Sequence, residues 1–360
     1  MEQSLTESAY YARHFRLPGF GEQTQQKLKA ARVLIVGVGG LGCPAALYLA
    51  GAGVGTIALC DADDVSVSNL HRQVLFDSNS VGQKKVEVAA NRLRAVNPHI
   101  CIEPIPKFAD PQLLAELVPR YDLVLDGTDN FSAKYAINDA CEAAGVPLVY
   151  GSIFQFEGQV SVFHLATSER SMAFSYRDLY PDAPPAGLSQ NCGEAGVIGV
   201  LPGIIGTMQA NEAIKVITGL GEPLSGHLLT FDALNAVTYR LALTRRVRTS
   251  ATPTVAGDIT YADLQERLAS SSPPILIDVR DLNERQAISL GGKHIPLTTL
   301  PTRLHMLRDD SLIVVYCKSG VRSAKAALYL RSVLPNATVV LSLRGGLDAC
   351  GGGGAPLCAA

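Results

Sequence analysis

Short apolar runs alternate with amphipathic stretches through the N-terminal part of the chain, and this alternation limits the possible folds more than any other feature. The apolar runs are Val33–Val38, Thr56–Cys60, Ile100–Ile105, Leu123–Leu125 and Pro147–Tyr150. Stretches with helical spacing separate them, at 41–52, 82–96, 111–118 and 131–144. Strands rich in Val, Ile and Leu that are joined by helices form parallel sheets covered on both faces. The chain is therefore predicted to be α/β, with a Rossmann-like mixed sheet.

Changes in composition predict the domain boundaries. Residues 244–257 are rich in Arg, Thr, Ser and Pro and are predicted to link an N-terminal domain, 1–243, to a small α/β domain, 258–350. A Gly-rich tail, 351–360, follows. In the first domain Glu157-Gly158 is predicted to turn a hairpin that continues the sheet with antiparallel strands. In the second, a helix is predicted over 323–333.

Charge and hydropathy exclude several classes of function. The net charge is −2, so there is no overall basic field for nucleic acid. No apolar run approaches the ~20 residues that a membrane span needs, and Met1–Arg16 lacks the apolar centre of a secretion signal. We therefore predict a cytoplasmic protein that binds neither nucleic acid nor membranes. The eight cysteines have no regular spacing, and Cys192 and Cys317 fall in predicted loops.

A glycine-rich turn follows the first predicted strand and opens a helix. It consists of Gly37, Gly39, Gly40 and Gly42 with Val38 and Leu41 between them. Glycines allow close backbone approach, and the amides of a helix N-terminus attract phosphate. Asp61, at the end of the second strand, suits a ribose hydroxyl. On their own these features favour a dinucleotide-dependent oxidoreductase.

Three further segments change that interpretation. Ser68-Asn69-Leu70-His71-Arg72-Gln73 lies just beyond Asp61, Gly82-Gln83-Lys84-Lys85 precedes a helix, and Thr128-Asp129-Asn130 follows the fourth strand. Attack of a carboxylate on the α-phosphorus of ATP builds negative charge on phosphate oxygens. Cations, and Mg²⁺ held by a carboxylate, stabilise that charge. The additional cations and carboxylate therefore favour adenylation over hydride transfer.

Residues 10–240 resemble the MoeB/ThiF superfamily, which also contains the ubiquitin-activating enzymes. The segments that carry the resemblance, in the order and spacing of the family, are GVGGLGCP, DADDVSVSNLHRQ, VGQKK, DGTDN, EGQVSVF and CGEAGVIGVLPGIIG. The resemblance implies ATP and Mg²⁺ as cofactors, with Mg²⁺ held by Asp129. The predicted nucleotide-binding residues are Gly37, Gly39, Gly40, Gly42, Asp61, Ser68, Asn69, Arg72, Lys85, Asp129 and Asn130, and Arg72, Lys85 and Asp129 are also predicted to be catalytic.

The same resemblance implies two protein partners. The acceptor is the C-terminal Gly-Gly carboxylate of a small ubiquitin-like sulfur carrier protein. The second partner is another copy of the chain, because Arg13 resembles the arginine that reaches into the neighbouring subunit's site in this family. Cys192 aligns with a cysteine that receives the activated carrier, and a structural role for it stays open.

Many members of the superfamily hold a structural zinc ion with two Cys-x-x-Cys pairs. The first pair aligns with Ser175-Tyr176-Arg177-Asp178 and the second lies near Ser250–Pro253, and neither contains cysteine. Zinc sites of this kind need thiolate or imidazole ligands. We therefore predict no zinc site, and expect the loop to be held by packing of Tyr176 and Tyr180 or to be mobile.

A second candidate site follows an apolar strand in the C-terminal domain, at Cys317-Lys318-Ser319-Gly320-Val321-Arg322. A loop of this kind points backbone amides at a thiolate or a persulfide. The same arrangement serves cysteine phosphatases, and the short Cys-x4-Arg spacing favours the smaller sulfur substituent.

Residues 258–348 resemble rhodaneses through this loop, Ile277-Asp278-Val279-Arg280 and Arg344-Gly345-Gly346. The resemblance implies that Cys317 carries a persulfide, that Lys318, Ser319, Gly320, Val321 and Arg322 surround it, and that a cysteine desulfurase or thiosulfate supplies the sulfur. A role in holding the fold is favoured for Asp278 and Arg280.

The sequence thus predicts adenylylation of a carrier carboxylate, followed by sulfur transfer from Cys317 to give a thiocarboxylate. One alternative is an activating enzyme that passes a ubiquitin-like protein through Cys192 to a conjugation target. Another is a scaffold that binds nucleotide without turnover. The sulfur hypothesis requires an accessible Cys317, and a buried, inaccessible Cys317 would count against it.

Overall fold

The protein forms two compact units, Met1–Val247 and Arg248–Ala360. The structure is a computed structural model, and the residues that it describes are 6–166, 173–180, 196–243, 257–300, 303, 307, 312–334 and 338–352. Each unit has its own sheet and its own apolar core.

An eight-stranded sheet with the order β3-β2-β1-β4-β5-β6-β7-β8 forms the centre of the first unit. Its strands are β1 (Arg32–Val36), β2 (Thr56–Cys60), β3 (Cys101–Ile105), β4 (Leu123–Asp126), β5 (Leu148–Phe154), β6 (Glu157–Phe163), β7 (His227–Asp232) and β8 (Val237–Ala242). Strands β1 to β5 pair in parallel, and β5 to β8 pair antiparallel. This mixed sheet confirms the predicted fold class. Because β1 lies between β2 and β4, the strand order reverses there, at the place where open α/β sheets bind ligands.

Helices cover both faces of this sheet and bury two apolar clusters against it. They are α1 (Glu7–Tyr10), α2 (Glu22–Ala30), α3 (Gly42–Ala52), α4 (Lys85–Val96), α5 (Pro111–Leu117), α6 (Phe131–Ala144), α7 (Tyr176–Leu179) and α8 (Val200–Thr218). Helix α3 ends at Gly53 and α6 at Gly145, and both glycines adopt the left-handed conformation that commonly ends helices. Helix α3 packs against α8.

The second unit is a parallel five-stranded sheet with the order β11-β10-β12-β13-β9. Its strands are β9 (Asp258–Ile259), β10 (Ile275–Asp278), β11 (Lys293–His294), β12 (Leu312–Tyr316) and β13 (Val339–Leu343). Its helices are α9 (Tyr261–Leu268), α10 (Leu282–Ala287) and α11 (Val321–Val333). The central strand β12 is buried along most of its length and ends directly before Cys317.

Two local predictions are wrong. The β5–β6 hairpin turns at Gln155 and Phe156 rather than at Glu157-Gly158, and Gln155 takes the positive φ of 53°. Gly158 instead lies under α8, where any side chain on it would overlap Ile205, so packing and not turn geometry explains this glycine. Helix α11 begins at Val321, not at residue 323, because Gly320, with φ of 85°, already forms its N-cap.

Within the described residues, no helix has the length and apolarity required to cross a bilayer.

Candidate functional site

The glycine turn between β1 and α3 is packed so closely at Gly37 and Gly42 that neither position can accommodate a side chain. Gly37 has φ of 90°, and a side chain on either Gly42 or Gly127 would overlap the carbonyl oxygen of Gly37. The turn after β4 therefore lies directly against the glycine turn. This close contact brings Thr128, Asp129 and Asn130 to the same edge of the sheet.

Asp61 joins the end of β2 to the glycine turn. One carboxylate oxygen accepts a hydrogen bond from the backbone N–H of Val38 at 2.8 Å. The other accepts from the N–H of Asp63 at 2.9 Å. Both oxygens of Asp61 are thus held beside the glycine turn by backbone N–H groups.

The two predicted cations approach the same region from different segments. The ammonium of Lys85 lies 2.8 Å from a carboxylate oxygen of Asp63, and the lysine side chain is only 6% exposed. The stem of Arg72 lies beside Gly40, and its Nη1 donates to the carbonyl oxygen of Ser68 at 3.0 Å. Arg72 therefore borders the glycine turn directly, and Lys85 is linked to it through Asp63 and Asp61.

The remaining predicted residues complete this group. The carbonyl oxygen of Asn69 accepts hydrogen bonds from the N–H groups of Arg72 and Gln73, which shapes the short turn that carries both side chains. Asn130 is the N-cap of α6, with its side-chain oxygen accepting from the N–H of Ala133 at 2.9 Å. Asp129 precedes it and is exposed.

A buried polar network behind this turn was missed by sequence reasoning. Lys134, on α6, donates to Asp126 and to the carbonyl oxygen of Gly151, each at 2.8 Å. The second oxygen of Asp126 accepts from the N–H and the hydroxyl of Thr128, at 2.9 and 2.6 Å. Gln209, on α8, donates to the carbonyl oxygen of Asp126 at 2.8 Å. The motif DGTDN contains Asp126, but no spacing rule pairs it with Lys134.

The residues at this edge fit ATP with Mg²⁺. At Gly39 a side chain would meet only the side-chain nitrogen of Gln73, at 3.6 Å, so this face of the glycine turn is open, and Arg72 lies beside the neighbouring Gly40. Lys85 is linked to the turn through Asp63 and Asp61. Gln73 is buried against Gly39, and its Oε1 has no hydrogen-bond partner among the described residues. A buried acceptor of this kind normally has a donor, which a bound molecule or a water can supply. The exposed carboxylate of Asp129 belongs to the oxygen ligands that Mg²⁺ prefers.

The N-terminal segment around residues 11–14 is anchored at the C-terminal end of α3, the end away from the glycine turn. The hydroxyl of Tyr11 accepts from Asn97, whose amide also donates to the carbonyl oxygen of Ala50. His14 bonds Gln25, which donates to the carbonyl oxygen of Ala52. Helix α3 has 11 residues, so these anchors lie ~16 Å along its axis from the glycine turn. Arg13, between the anchors, is exposed.

The segment that replaces the first cysteine pair is folded as α7. Ser175 and Asp178 form a capping box around it. Tyr176 is buried against the rings of Tyr135, Tyr150, Phe163 and Tyr180.

Arg177 adds a charged contact to this anchor. It donates to both carboxylate oxygens of Asp139, at 2.7 and 2.6 Å, and holds the pKa of Asp139 below its usual value. The predicted packing of Tyr176 and Tyr180 is thus present. No group of three or more His, Cys, Asp or Glu side chains arranged to bind a metal occurs in the described part of the chain. Cys192 and the segment Ser250–Pro253 lie outside the described residues.

Cys317 is fully buried, contrary to the expectation that it is accessible. Its side chain turns inward onto the apolar core, and its sulfur accepts a hydrogen bond from the N–H of Ser323 at 3.3 Å. The hydroxyl of Ser323 lies 3.5 Å from the same sulfur. Lys318 and Ser319, in contrast, are exposed, so the loop itself lies at the surface.

Gly345 and Gly346 support the Cys317 loop from behind. A side chain on Gly346 would overlap the carbonyl oxygen of Cys317, and the N–H of Leu347 donates to that oxygen at 2.9 Å. Gly320 packs onto the backbone of Gly345 in the same way. Close packing explains the Gly-Gly pair after β13: a side chain on Gly346 would overlap the Cys317 loop, and one on Gly345 would overlap Ala349.

Arg322 is paired with Glu284, a residue that sequence reasoning missed. Its two Nη atoms donate to the two carboxylate oxygens at 2.7 and 2.6 Å, and these hydrogen bonds hold the pKa of Glu284 at about 2. The residues are 38 positions apart, so the only sequence signal is the capping box that Glu284 forms with Asp281.

Asp278 and Arg280 form a second ion pair, which is fully buried. Arg280 donates to both oxygens of Asp278, at 2.9 and 2.7 Å, and to the carbonyl oxygens of Glu284 and Ile288. These hydrogen bonds link the end of β10 to the segment that contains α10. The geometry therefore agrees with the structural role that the sequence favoured.

Comparisons with known proteins agree for both units. Residues 11–251 match the ThiF family, and residues 260–351 match the rhodanese-like domain. The probable adenylyltransferase/sulfurtransferase MoeZ of Mycobacterium tuberculosis is 41% identical over 346 residues, which cover 90% of this chain and 88% of MoeZ. The adenylyltransferase and sulfurtransferase MOCS3 of Sus scrofa is 39% identical over 396 residues, and the match covers 96% of this chain and 86% of MOCS3. The sulfur carrier protein adenylyltransferase of Thermus thermophilus is 47% identical over 238 residues, and the match covers 66% of this chain and 88% of that protein.

Solved structures share the fold at lower identity. E. coli MccB with ATP has a TM-score of 0.55 and 23% identity, and covers 66% of this chain and 72% of MccB. The microcin C7 biosynthetic enzyme MccB with N-formylated MccA has a TM-score of 0.58 and 24% identity, and the match covers 66% of this chain and 73% of MccB. With both family matches and the full-length relatives, the chain belongs to the ThiF family, carries a rhodanese-like domain, and is an enzyme of the adenylyltransferase and sulfurtransferase class.

Proposed function

We propose that the protein adenylylates the C-terminal Gly-Gly carboxylate of a ubiquitin-like sulfur carrier protein and then converts it to a thiocarboxylate with sulfur from Cys317. The observation that carries the first half is the continuous set of contacts from Asp61 through the glycine turn to Arg72 and the turn of Asp129. The names of the relatives support both halves, because they combine adenylyltransferase with sulfurtransferase.

In the first step a carboxylate oxygen of the carrier attacks the α-phosphorus of ATP. The bond to the β-phosphate breaks, pyrophosphate leaves, and the carrier becomes an acyl-adenylate. Arg72 and Lys85 stabilise the charge that builds on the phosphate oxygens, and Asp61 orients the ribose. Mg²⁺, held by Asp129, supplies further charge stabilisation when bound.

In the second step the outer sulfur of a Cys317 persulfide attacks the acyl carbon. AMP leaves with the electron pair of the carbon–oxygen bond, and an acyl disulfide joins the carrier to Cys317. The thiolate of Cys192 then attacks the Cys317 sulfur, the acyl disulfide breaks, and the carrier thiocarboxylate leaves. The resulting Cys192–Cys317 disulfide is reduced by a cellular dithiol. Because the Cys317 sulfur faces the core, its side chain has to turn outward during this step.

Pyrophosphate exchange and mass spectrometry test this function together. We expect labelled pyrophosphate to enter ATP only when a carrier protein ending in Gly-Gly is present. With ATP and a persulfide donor, the carrier mass should rise by 16 Da, the difference between sulfur and oxygen. An isopeptide-linked carrier would instead support the alternative route through Cys192 to a conjugation target. If no carrier of this kind supported pyrophosphate exchange, the result would favour the alternative of a scaffold that binds nucleotide without turnover.

We further propose a cytoplasmic homodimer in which Arg13 acts in the site of the partner subunit. The position of its anchors, at the far end of α3 from the glycine turn, supports this arrangement. Mixing inactive Arg13→Ala and Lys85→Ala chains should restore about one quarter of wild-type exchange, because half of the randomly formed dimers then contain one intact site. If Arg13 acted within its own chain, every site would lack one of the two residues and no activity would return.

We also propose that the adenylation unit holds no zinc and that α7 is fixed by protein contacts alone. The buried Tyr176 and the Arg177–Asp139 pair supply the contacts that support this. Elemental analysis of purified protein tests the proposal, and one zinc per chain would contradict it.

A further inference from the structure

The guanidinium of Arg322 is already neutralised by a carboxylate. Both of its Nη atoms donate to Glu284 in a two-point pair, the geometry in which arginine binds carboxylates and other oxyanions most strongly. Arg322 is the last residue of the Cys317 loop and the second residue of α11. The strongest anion-binding group of this loop is therefore occupied by the protein itself.

A second carboxylate, that of Asp281, acts on the same arginine. The N–H of Asp348 donates to the carbonyl oxygen of Lys318 at 2.9 Å, so this acidic residue is joined to the loop through its backbone. Asp281 forms the capping box with Glu284. The hydrogen bonds with Glu284 raise the pKa of Arg322, and the negative charge of Asp281 adds to this effect. Arg322 is thus paired with one carboxylate and lies within the electrostatic influence of a second. The positive charge of this arginine is offset by the protein itself.

This balance of charge matters for the choice of sulfur donor. Thiosulfate is a dianion at neutral pH and presents sulfonate oxygens that need cationic or N–H partners. An alkyl persulfide, R–S–SH, carries its transferable sulfur without an oxyanion group. Carboxylates near a binding loop repel the first kind of donor more strongly than the second.

We propose that Glu284 is a donor-specificity residue, which by holding Arg322 makes the Cys317 loop discriminate against thiosulfate and in favour of alkyl persulfides. This rests on the proposed persulfide role of Cys317. Glu284 acts through Arg322 and is a positioning residue. In the favoured reaction the Cys317 thiolate attacks the outer sulfur of R–S–SH, the donor S–S bond breaks, and R–S⁻ leaves. The proton stays on the transferred sulfur, so charge and atoms balance.

Replacement of Glu284 by glutamine tests the proposal as a gain of activity in the full-length protein. With thiosulfate as donor and cyanide as acceptor, we expect the KM for thiosulfate to fall roughly fivefold in Glu284→Gln while kcat changes little, since one repelling charge is removed and Arg322 is released. The KM for glutathione persulfide should stay within about twofold of wild type. Glutamine is also accepted in the capping box, so the start of α10 is preserved.

Two further variants separate charge from structure. Glu284→Asp retains the carboxylate and should keep the high KM for thiosulfate. Glu266→Gln removes an exposed carboxylate from α9 and is the matched control for net charge; it should leave both KM values unchanged. The effect in Glu284→Gln should weaken at high salt, because screening reduces the influence of the carboxylate in wild type. The hydrogen bonds from Arg322 hold the pKa of Glu284 at about 2, so the discrimination should be constant from roughly pH 6 to 9.

An unchanged KM for thiosulfate in Glu284→Gln would overturn the proposal, as would an equal fall in the KM for both donors. Failure of the underlying function looks different. If Cys317→Ala still transferred sulfur from either donor, the persulfide assignment itself would be wrong, whatever Glu284 does.

Discussion

Cys317→Ala is expected to reduce formation of the carrier thiocarboxylate at least ~10³-fold, because the atom that carries the sulfur is removed. Carrier-dependent exchange of pyrophosphate into ATP should remain within about twofold of wild type, since adenylation needs no sulfur. The residues proposed for adenylation all belong to the first unit, whereas Cys317 belongs to the second. The measurement is mass spectrometry of the carrier beside the exchange assay in the same preparation.

The control for this prediction is a cysteine that can react but has no proposed role. Cys101 is exposed, at the start of β3, and Cys101→Ala should leave both assays unchanged. Equal loss of exchange and thiocarboxylate in Cys317→Ala would contradict the division of work between the two units. Full thiocarboxylate formation in that variant would assign the sulfur to another residue.

The sequence predicted those parts of the site that depend on local rules. The glycine turn, Asp61 and the turn of Asp129 each follow a buried strand, and parallel strands bring their ends to one edge of a sheet. For the loop without metal ligands the sequence left two outcomes open, packing of Tyr176 and Tyr180 or a mobile loop, and Tyr176 is buried among aromatic rings. These features need only the strand pattern and the residue type.

The parts that escaped prediction depend on contacts between distant residues. Glu284 and Arg322 are 38 positions apart, and no pattern in the residues next to either one predicts that they form an ion pair. The inward orientation of Cys317 depends on a hydrogen bond from the N–H of Ser323 and on packing against the core beneath β12, and the residue types of the motif reveal neither contact. The hairpin was misplaced because Gly158 was interpreted as a turn residue, whereas Ile205 of α8 requires it.

Lys134→Met is expected to lower the free energy of unfolding of the first unit by ~3–5 kcal/mol, because it leaves the buried Asp126 without its partner. The two side chains are 6% and 1% exposed, so water cannot replace the lost ammonium. The free energy should be measured from the hydrogen exchange of β1 and β4 amides at increasing urea concentration, because the chain has two units and a single transition cannot be assumed.

Two variants make this second prediction specific to the buried pair. Lys29→Met breaks the exposed pair with Glu7, whose side chains are 57% and 37% exposed, and should cost no more than ~1 kcal/mol. The double variant Asp126→Asn/Lys134→Met should be more stable than the sum of its single changes predicts, since neither charge is then left alone. A loss of less than ~1 kcal/mol in Lys134→Met would show that the pair contributes little. Because Asp126 also holds Thr128, the neighbour of the proposed Mg²⁺ ligand Asp129, the loss of Lys134 should further raise the Mg²⁺ concentration needed for tight ATP binding.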